Sequence, residues 1–223
     1  MKKSIIIFGK GPSVLKCTKN IVDQYDDIAI INYPVINDFF FKLIKNRKIK
    51  YHFANCATFD DRYNDIQNEK LNIEGIYNTH FNTQIYKYKN FLKNDIFKDS
   101  IREKGEVSLK NKGFNFNYSS GILAFLYILN TKLYNKICVV GFDGFKQNTT
   151  YYYYNFEKEA NSKLKYLINE NIISKDGKLI IKSAHNSEKI QEYYEYEIQK
   201  NKQIKFIFIT NMKMKKFNNL ITM

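Results

Sequence analysis

Lys136 to Gly141 (KICVVG) is apolar without alternation, and it constrains the chain more than any other segment. A strand with one face in water alternates polar and apolar residues. A continuous apolar run suits a strand buried on both faces, which occurs where helices cover both sides of a parallel sheet. Ser4 to Phe8 and Ile28 to Asn32 (IAIIN) read the same way. Between them, Val14 to Tyr25 has the spacing of a helix with Val14, Leu15, Ile21 and Val22 on its buried side. Strand, turn, helix and strand match a β-α-β crossover. Further strands are expected at Lys50 to Asn55, from Gly75 to Tyr77, at Lys178 to Ile181, and at Ile204 to Ile209, which closes the sheet. Helices are expected at Ile122 to Leu129, Glu157 to Asn169 and Glu188 to Lys200, with helix and loop in the lysine- and asparagine-rich stretch 82–112. The pattern predicts an α/β fold, a single Rossmann-like, doubly wound domain over residues 1–223 with a mainly parallel sheet. Lys146 to Asn155 (KQNTTYYYYN) has neither period and reads as part of a small flexible lid at about 145–184.

Composition narrows the partners. At 44% hydrophobic and 16% aromatic the chain is too apolar for disorder, and no stretch is long and apolar enough to span a membrane. Cys17, Cys56 and Cys138 are odd in number and lack C-x-x-C spacing, so a disulfide framework or zinc site is not indicated and a reducing cytoplasm fits. The net charge of +14 predicts attraction to an anion: a nucleotide, a nucleic acid, an acidic glycan or a membrane face. The wealth of Lys, Asn, Ile and Tyr without Trp reflects an AT-rich genome, so the charge is no argument for nucleic-acid binding. The basic tail from Lys213 to Met223 offers modest attraction to an anionic inner-membrane surface.

Candidate ligand contacts gather where the predicted strands end. Gly9-Lys10-Gly11-Pro12-Ser13 occupies the place of a phosphate loop, with glycines that admit an anion and a following helix that would offer free N–H groups. It lacks the third glycine of a dinucleotide fingerprint and the Gly-Lys-Ser/Thr ending of a P-loop. The alternative is a turn kept tight for packing. Asn32, Asn55, Ser119, Ser120, Gly121, Gly141, Phe142 and Asp143 lie at or beside the carboxyl ends of strands, where open α/β sheets bind ligands. His185, between a strand and a helix, is placed to take a proton near neutral pH; His52 and His80 lack such a setting. Tyr151 to Tyr154 form either a lid whose phenols meet a phosphate or a surface for a partner subunit. No Asp-x-Asp occurs, so a metal-independent chemistry without cofactor is expected.

The segments IIIFGKGPS, SSGILAFLYILNTKLYNKICVVGFDGF and AHNSEKIQEYYE, in this order, resemble the bacterial sialyltransferases of glycosyltransferase family 42; residues 60 to 112 match poorly. The resemblance implies a metal-independent, inverting transfer of sialic acid from CMP-sialic acid, a nucleotide-sugar donor, to a glycan acceptor hydroxyl of lipooligosaccharide or capsule. His185 would be the general base and Tyr151 a lid phenol at the phosphate. Gly9 to Ser13, Asn32, Asn55, Ser119, Ser120, Gly121, Gly141 to Asp143 and Lys182 would hold the donor. It also implies homo-oligomeric assembly. The chain departs from the family at Lys10, where Asn is usual, at Phe145 and Lys182, where lid tyrosines are expected, and at Asn117, where an arginine precedes the serines. Two other readings stay open: a phosphotransferase of the pyrophosphokinase-like group that shares the G-x-G-P-S turn, and a non-catalytic polyanion binder.

Overall fold

Along β1 (Lys3–Phe8), Ile5 and Ile7 face one layer of helices while Ile6 and Phe8 face the other, and none is more than 1% exposed. That is why the run is apolar throughout. The computed structural model describes residues 2–32, 38–45, 47–54, 72–79, 97–98, 100–116, 118–144, 168–171, 173–174, 178, 180 and 186–223. The other strands are β2 (Asp27–Ile31), β3 (Ile49–Ala54), β4 (Ile76–Asn78), β5 (Phe97–Lys98), β6 (Tyr134–Val140), β7 (Lys205–Ile209) and β8 (Leu220–Thr222). They form one eight-stranded sheet in the order β5-β4-β3-β2-β1-β6-β7-β8, and every pairing in it is parallel. The chain therefore starts in the middle, runs outward to β5, and returns to place β6 on the far side of β1.

Helices cover both faces, as a doubly wound sheet requires. A 3-10 turn (Pro12–Lys16), α1 (Lys19–Val22) and α2 (Asp38–Ile44) pack on the Ile6 and Phe8 side through Val14, Val22, Phe40, Leu43 and Ile44. On the other side lie α3 (Arg102–Asn111), α4 (Ser120–Thr131) and α5 (Ser187–Lys200). Phe125 of α4 is fully buried there, its ring 5.2 Å from that of Tyr194 in α5 and about 6 Å from Phe206 and Phe208 of β7. Aromatic side chains bury the largest areas per residue, so this cluster supplies much of the hydrophobic drive on that face.

Two expectations from the sequence need correction. The single helix over Val14 to Tyr25 is instead a five-residue 3-10 turn followed by the four-residue α1. Three residues per turn put Val14 and Cys17 together in the core and leave Leu15 56% exposed, where a 3.6-residue period had placed it inside. The sheet does not end at Ile209, since β8 pairs beyond β7. Met212, Met214 and Phe217, in the connection to β8, pack on the α5 core, and the Lys215 N–H donates to Glu195 of α5 at 3.0 Å, so this basic segment is largely built into the fold. Lys178 lies in a β-bridge, with Ser174 N–H donating to its carbonyl at 2.8 Å. Most of the expected strand there lies outside the described residues, as does most of the helix expected at Glu157 to Asn169.

The α4 helix ends on Lys132 in the left-handed conformation, φ 56°. A Cβ is penalised there, and glycine is the usual occupant of such caps. Replacing exposed Lys132 by Gly should raise unfolding stability by about 0.5–1 kcal/mol, the relief of the left-handed penalty less the added freedom of the unfolded chain. Urea denaturation should show a higher midpoint at unchanged slope.

Candidate functional site

The sheet order reverses between β1 and β6, and the turns that leave these two strands meet at its carboxyl edge. Gly9 N–H donates to the Val140 carbonyl at 2.7 Å and Gly11 N–H to the Gly141 carbonyl at 2.9 Å. The approach explains the small residues: a Cβ on Gly9 would lie 2.5 Å from the Gly141 oxygen, and Gly141 itself has φ +74°. Packing alone thus accounts for glycine at these positions. Asp143 draws in a third turn. Its Oδ2 accepts from Ser13 N–H at 2.7 Å and its Oδ1 from Asn211 N–H at 2.6 Å, with Thr210 Oγ1 3.3 Å from the same oxygen. The Ser13 hydroxyl donates to the Ile209 carbonyl at 2.9 Å, and Ser13 is 1% exposed.

These contacts revise the phosphate-loop expectation. The N–H end of the turn at Pro12 is met by the protein's own carboxylate, and a single 3-10 turn has little aligned dipole to offer a phosphate. Ser13 and Asp143 are committed to one another and to β7. The Phe142 ring is buried in the core against Tyr194 and beside Gly121. Lys10 and Pro12 are half-buried at the surface of the turn.

On the β2 side, Asn32 follows its strand at φ 51°, with its N–H donating to the Phe53 carbonyl at 2.6 Å. Asn tolerates this left-handed conformation better than most residues. His52, beneath it in β3, is fully buried; that burial pushes its pKa down from 6.5 to about 3, against the opposing pull of a hydrogen bond with the Asn32 backbone. His52 is therefore neutral at physiological pH and braces the turn. Ser119 and Ser120 divide their tasks. The Ser119 side chain caps α4 by accepting from Ile122 N–H at 3.4 Å, while the Ser120 hydroxyl lies 2.8 Å from that of Thr79, just past β4.

Sequence reasoning passed over Thr79 and Thr210. Both are polar residues at carboxyl ends of strands, so the rule that selected Asn32 finds Thr210 directly; β4 is too short and weakly patterned to have pointed to Thr79. Asn55, His80, Tyr151, Lys182 and His185 lie outside the described residues. Cys17 and Cys138 are buried, and desolvation pushes both thiols up to about 12, so neither is a ready nucleophile or ligand. Among the described residues no group of three or more His, Cys, Asp or Glu side chains could hold a metal, and no helix is long and apolar enough to cross a membrane.

Two measurements test these assignments. Asp143→Ala should destabilise the ligand-free protein by about 1–2 kcal/mol, because a part-buried and an exposed backbone donor lose their acceptor; a neutral result in chemical denaturation would mean that the carboxylate does not brace the fold. His52 gives a pH signature. Its folded pKa lies below its unfolded one, so the unfolded chain binds the proton more readily and stability falls as pH drops below 6.5 toward 3. Relative to His52→Gln, the wild type should lose about 2 kcal/mol between pH 6.5 and 5, and nothing above pH 7.

No protein-family model matches the chain, and no curated protein sequence matches it. Solved structures do. A single-substitution variant of the sialyltransferase CST-II in complex with CMP superposes with TM-score 0.62 at 18% identity, over 94% of this chain and 82% of the other. A second such variant with CMP gives 0.58 at 21% identity, over 94% and 81%. The sialyltransferase CstII from Campylobacter jejuni, in complex with the substrate analogue CMP-3FNeuAc, gives 0.53 at 20%, over 93% and 80%. Over nearly its whole length, this chain has the fold of those sialyltransferase structures.

Proposed function

We propose that the protein is a metal-independent, inverting sialyltransferase that moves sialic acid from CMP-sialic acid to a glycan hydroxyl of a cell-surface lipooligosaccharide or capsule. The observation that carries the reading is the shared fold: over 94% of the chain it matches structures whose bound ligand is CMP. Open parallel sheets bind ligands outside the carboxyl ends of their strands where the order reverses, and the β1 and β6 turns flank that position here. Asn32, Ser120 and Gly121 stand along the same edge.

The chemistry assigned to the residues follows from direct displacement. His185 takes the proton of the acceptor hydroxyl as its oxygen bonds to the anomeric carbon. The bond from that carbon to the phosphate oxygen breaks on the opposite face, and CMP leaves with the electron pair. Negative charge grows on the phosphate as it departs, and donors aimed at that oxygen lower the barrier. Tyr151 supplies such a hydrogen bond, and Lys10 and Lys182 supply positive charge. Asn32 and Asn55 orient the donor. A cytoplasmic location, with the basic surface resting on the inner membrane, and assembly into homo-oligomers accompany this reading.

Scanning calorimetry with CMP, CDP, UDP, GDP and ATP, each with and without magnesium, tests it. CMP at a hundred times its dissociation constant should add about 2.7 kcal/mol of apparent stability without metal. Magnesium-dependent ATP binding, or indifference to every nucleotide, would overturn the proposal in favour of the phosphotransferase or polyanion reading. His185→Ala should lower the turnover of CMP-sialic acid by about 10²–10⁴-fold at unchanged CMP affinity, the usual range for a lost general base.

A further inference from the structure

The hydroxyls of Thr79 and Ser120 are 2.8 Å apart, and we infer that Thr79 is a positioning residue that turns the Ser120 hydroxyl proton toward a negatively charged oxygen of the bound donor. The inference rests on the nucleotide-sugar reading above and adds to it a residue with no place of its own in the proposed chemistry.

Thr79 is held from several sides. It is 1% exposed, and its N–H donates to the Ala54 carbonyl at the end of β3 at 2.9 Å. Arg102, at the start of α3, reaches the Thr79 carbonyl through Nη1 at 3.5 Å, and its Nε pairs with Glu106 at 2.7 Å. The preceding carbonyl, that of Asn78, accepts from Ile101 N–H at 2.9 Å. Ends of β3, β4 and α3 thus converge to fix where the threonine side chain stands.

A buried hydroxyl places its proton on an acceptor. Either hydroxyl could donate across this 2.8 Å contact; the shared proton is assigned to Thr79, the more buried of the two, which leaves Ser120 as acceptor. The Ser120 hydroxyl has one proton and two lone pairs. With one lone pair engaged by Thr79, and with capping of α4 performed by Ser119, its proton is left, among the described residues, to donate to a ligand. Ser120 is half-buried, at the carboxyl edge of the sheet. The donor in this reading carries phosphate and carboxylate oxygens, which accept well from a pre-aligned hydroxyl.

The test measures binding of CMP-sialic acid by titration calorimetry to the wild type, Thr79→Val, Thr79→Ala, Thr79→Ser, Ser120→Ala and the double variant of Thr79→Val with Ser120→Ala, each first checked for cooperative unfolding. Loss of one aligned hydrogen bond should weaken binding about tenfold in Ser120→Ala and in whichever of Thr79→Val and Thr79→Ala folds. Thr79→Ser should bind within about twofold of wild type, and the double variant should be no weaker than Ser120→Ala alone, since the two act as one unit. Wild-type affinity in a folded Thr79 variant without the hydroxyl would overturn the inference, and so would additive losses in the double variant. A wild type that binds no CMP-sialic acid would instead remove the parent reading, and this inference with it.

Discussion

The carboxylate of Asp143 is the interaction on which the centre of this molecule depends. It receives N–H groups from the turn after β1 and the turn after β7 while sitting on the turn after β6, so one side chain gathers the carboxyl ends of three adjacent strands. Thr210 extends the connection by donating to the Phe142 carbonyl at 2.7 Å. Glycines follow from this closure: chains drawn so near have no room for a Cβ at Gly9. The absence of bulk there looks like a phosphate cradle in the sequence, and in the structure it is first a condition of packing.

Much of the architecture was legible because burial on both faces leaves an unmistakable record. The unbroken apolar runs at β1, β2 and β6 identified a parallel, doubly wound sheet, and each became a strand within a residue or two of its expected bounds. The serines before α4 were equally readable, since a hydroxyl ahead of an apolar run marks a helix start and Ser119 does cap the helix. Local pattern misjudged the segment after β1. Val14, Ile21 and Val22 fit a helical period by chance across a break at Cys17 and Thr18, where the chain is extended, and nothing in residue types alone separates a 3-10 turn plus a short helix from one longer helix.

The candidate site was legible only in part, for a reason common to sheet-edge sites. Residue type can say that Asp143 is polar and at a strand end, but whether its oxygens face a ligand or the protein's own N–H groups depends on partners 130 and 68 positions away. Thr79 lay hidden for the opposite reason. Its importance comes from β3, α3 and α4 meeting on it, and β4 is only three residues long. Asn32 sits between these cases: the sequence marked it as a strand-end amide, and the structure adds its left-handed backbone and the neutral His52 beneath it.

The placement of β1 at the centre of the sheet has a consequence for how the molecule is made. Strand β1 leaves the ribosome before its partners: it pairs on one side with β2, close in sequence, but its other edge waits for β6, and the Ser13 hydroxyl finds its acceptor only 196 residues later at Ile209. Contacts of such separation form late, because loop-closure entropy opposes them until the intervening chain is ordered. Until then β1 exposes one apolar edge, and the junction between its turn and that of β6 does not exist. An incompletely folded or truncated chain would therefore lack the candidate site altogether rather than hold a weakened version of it.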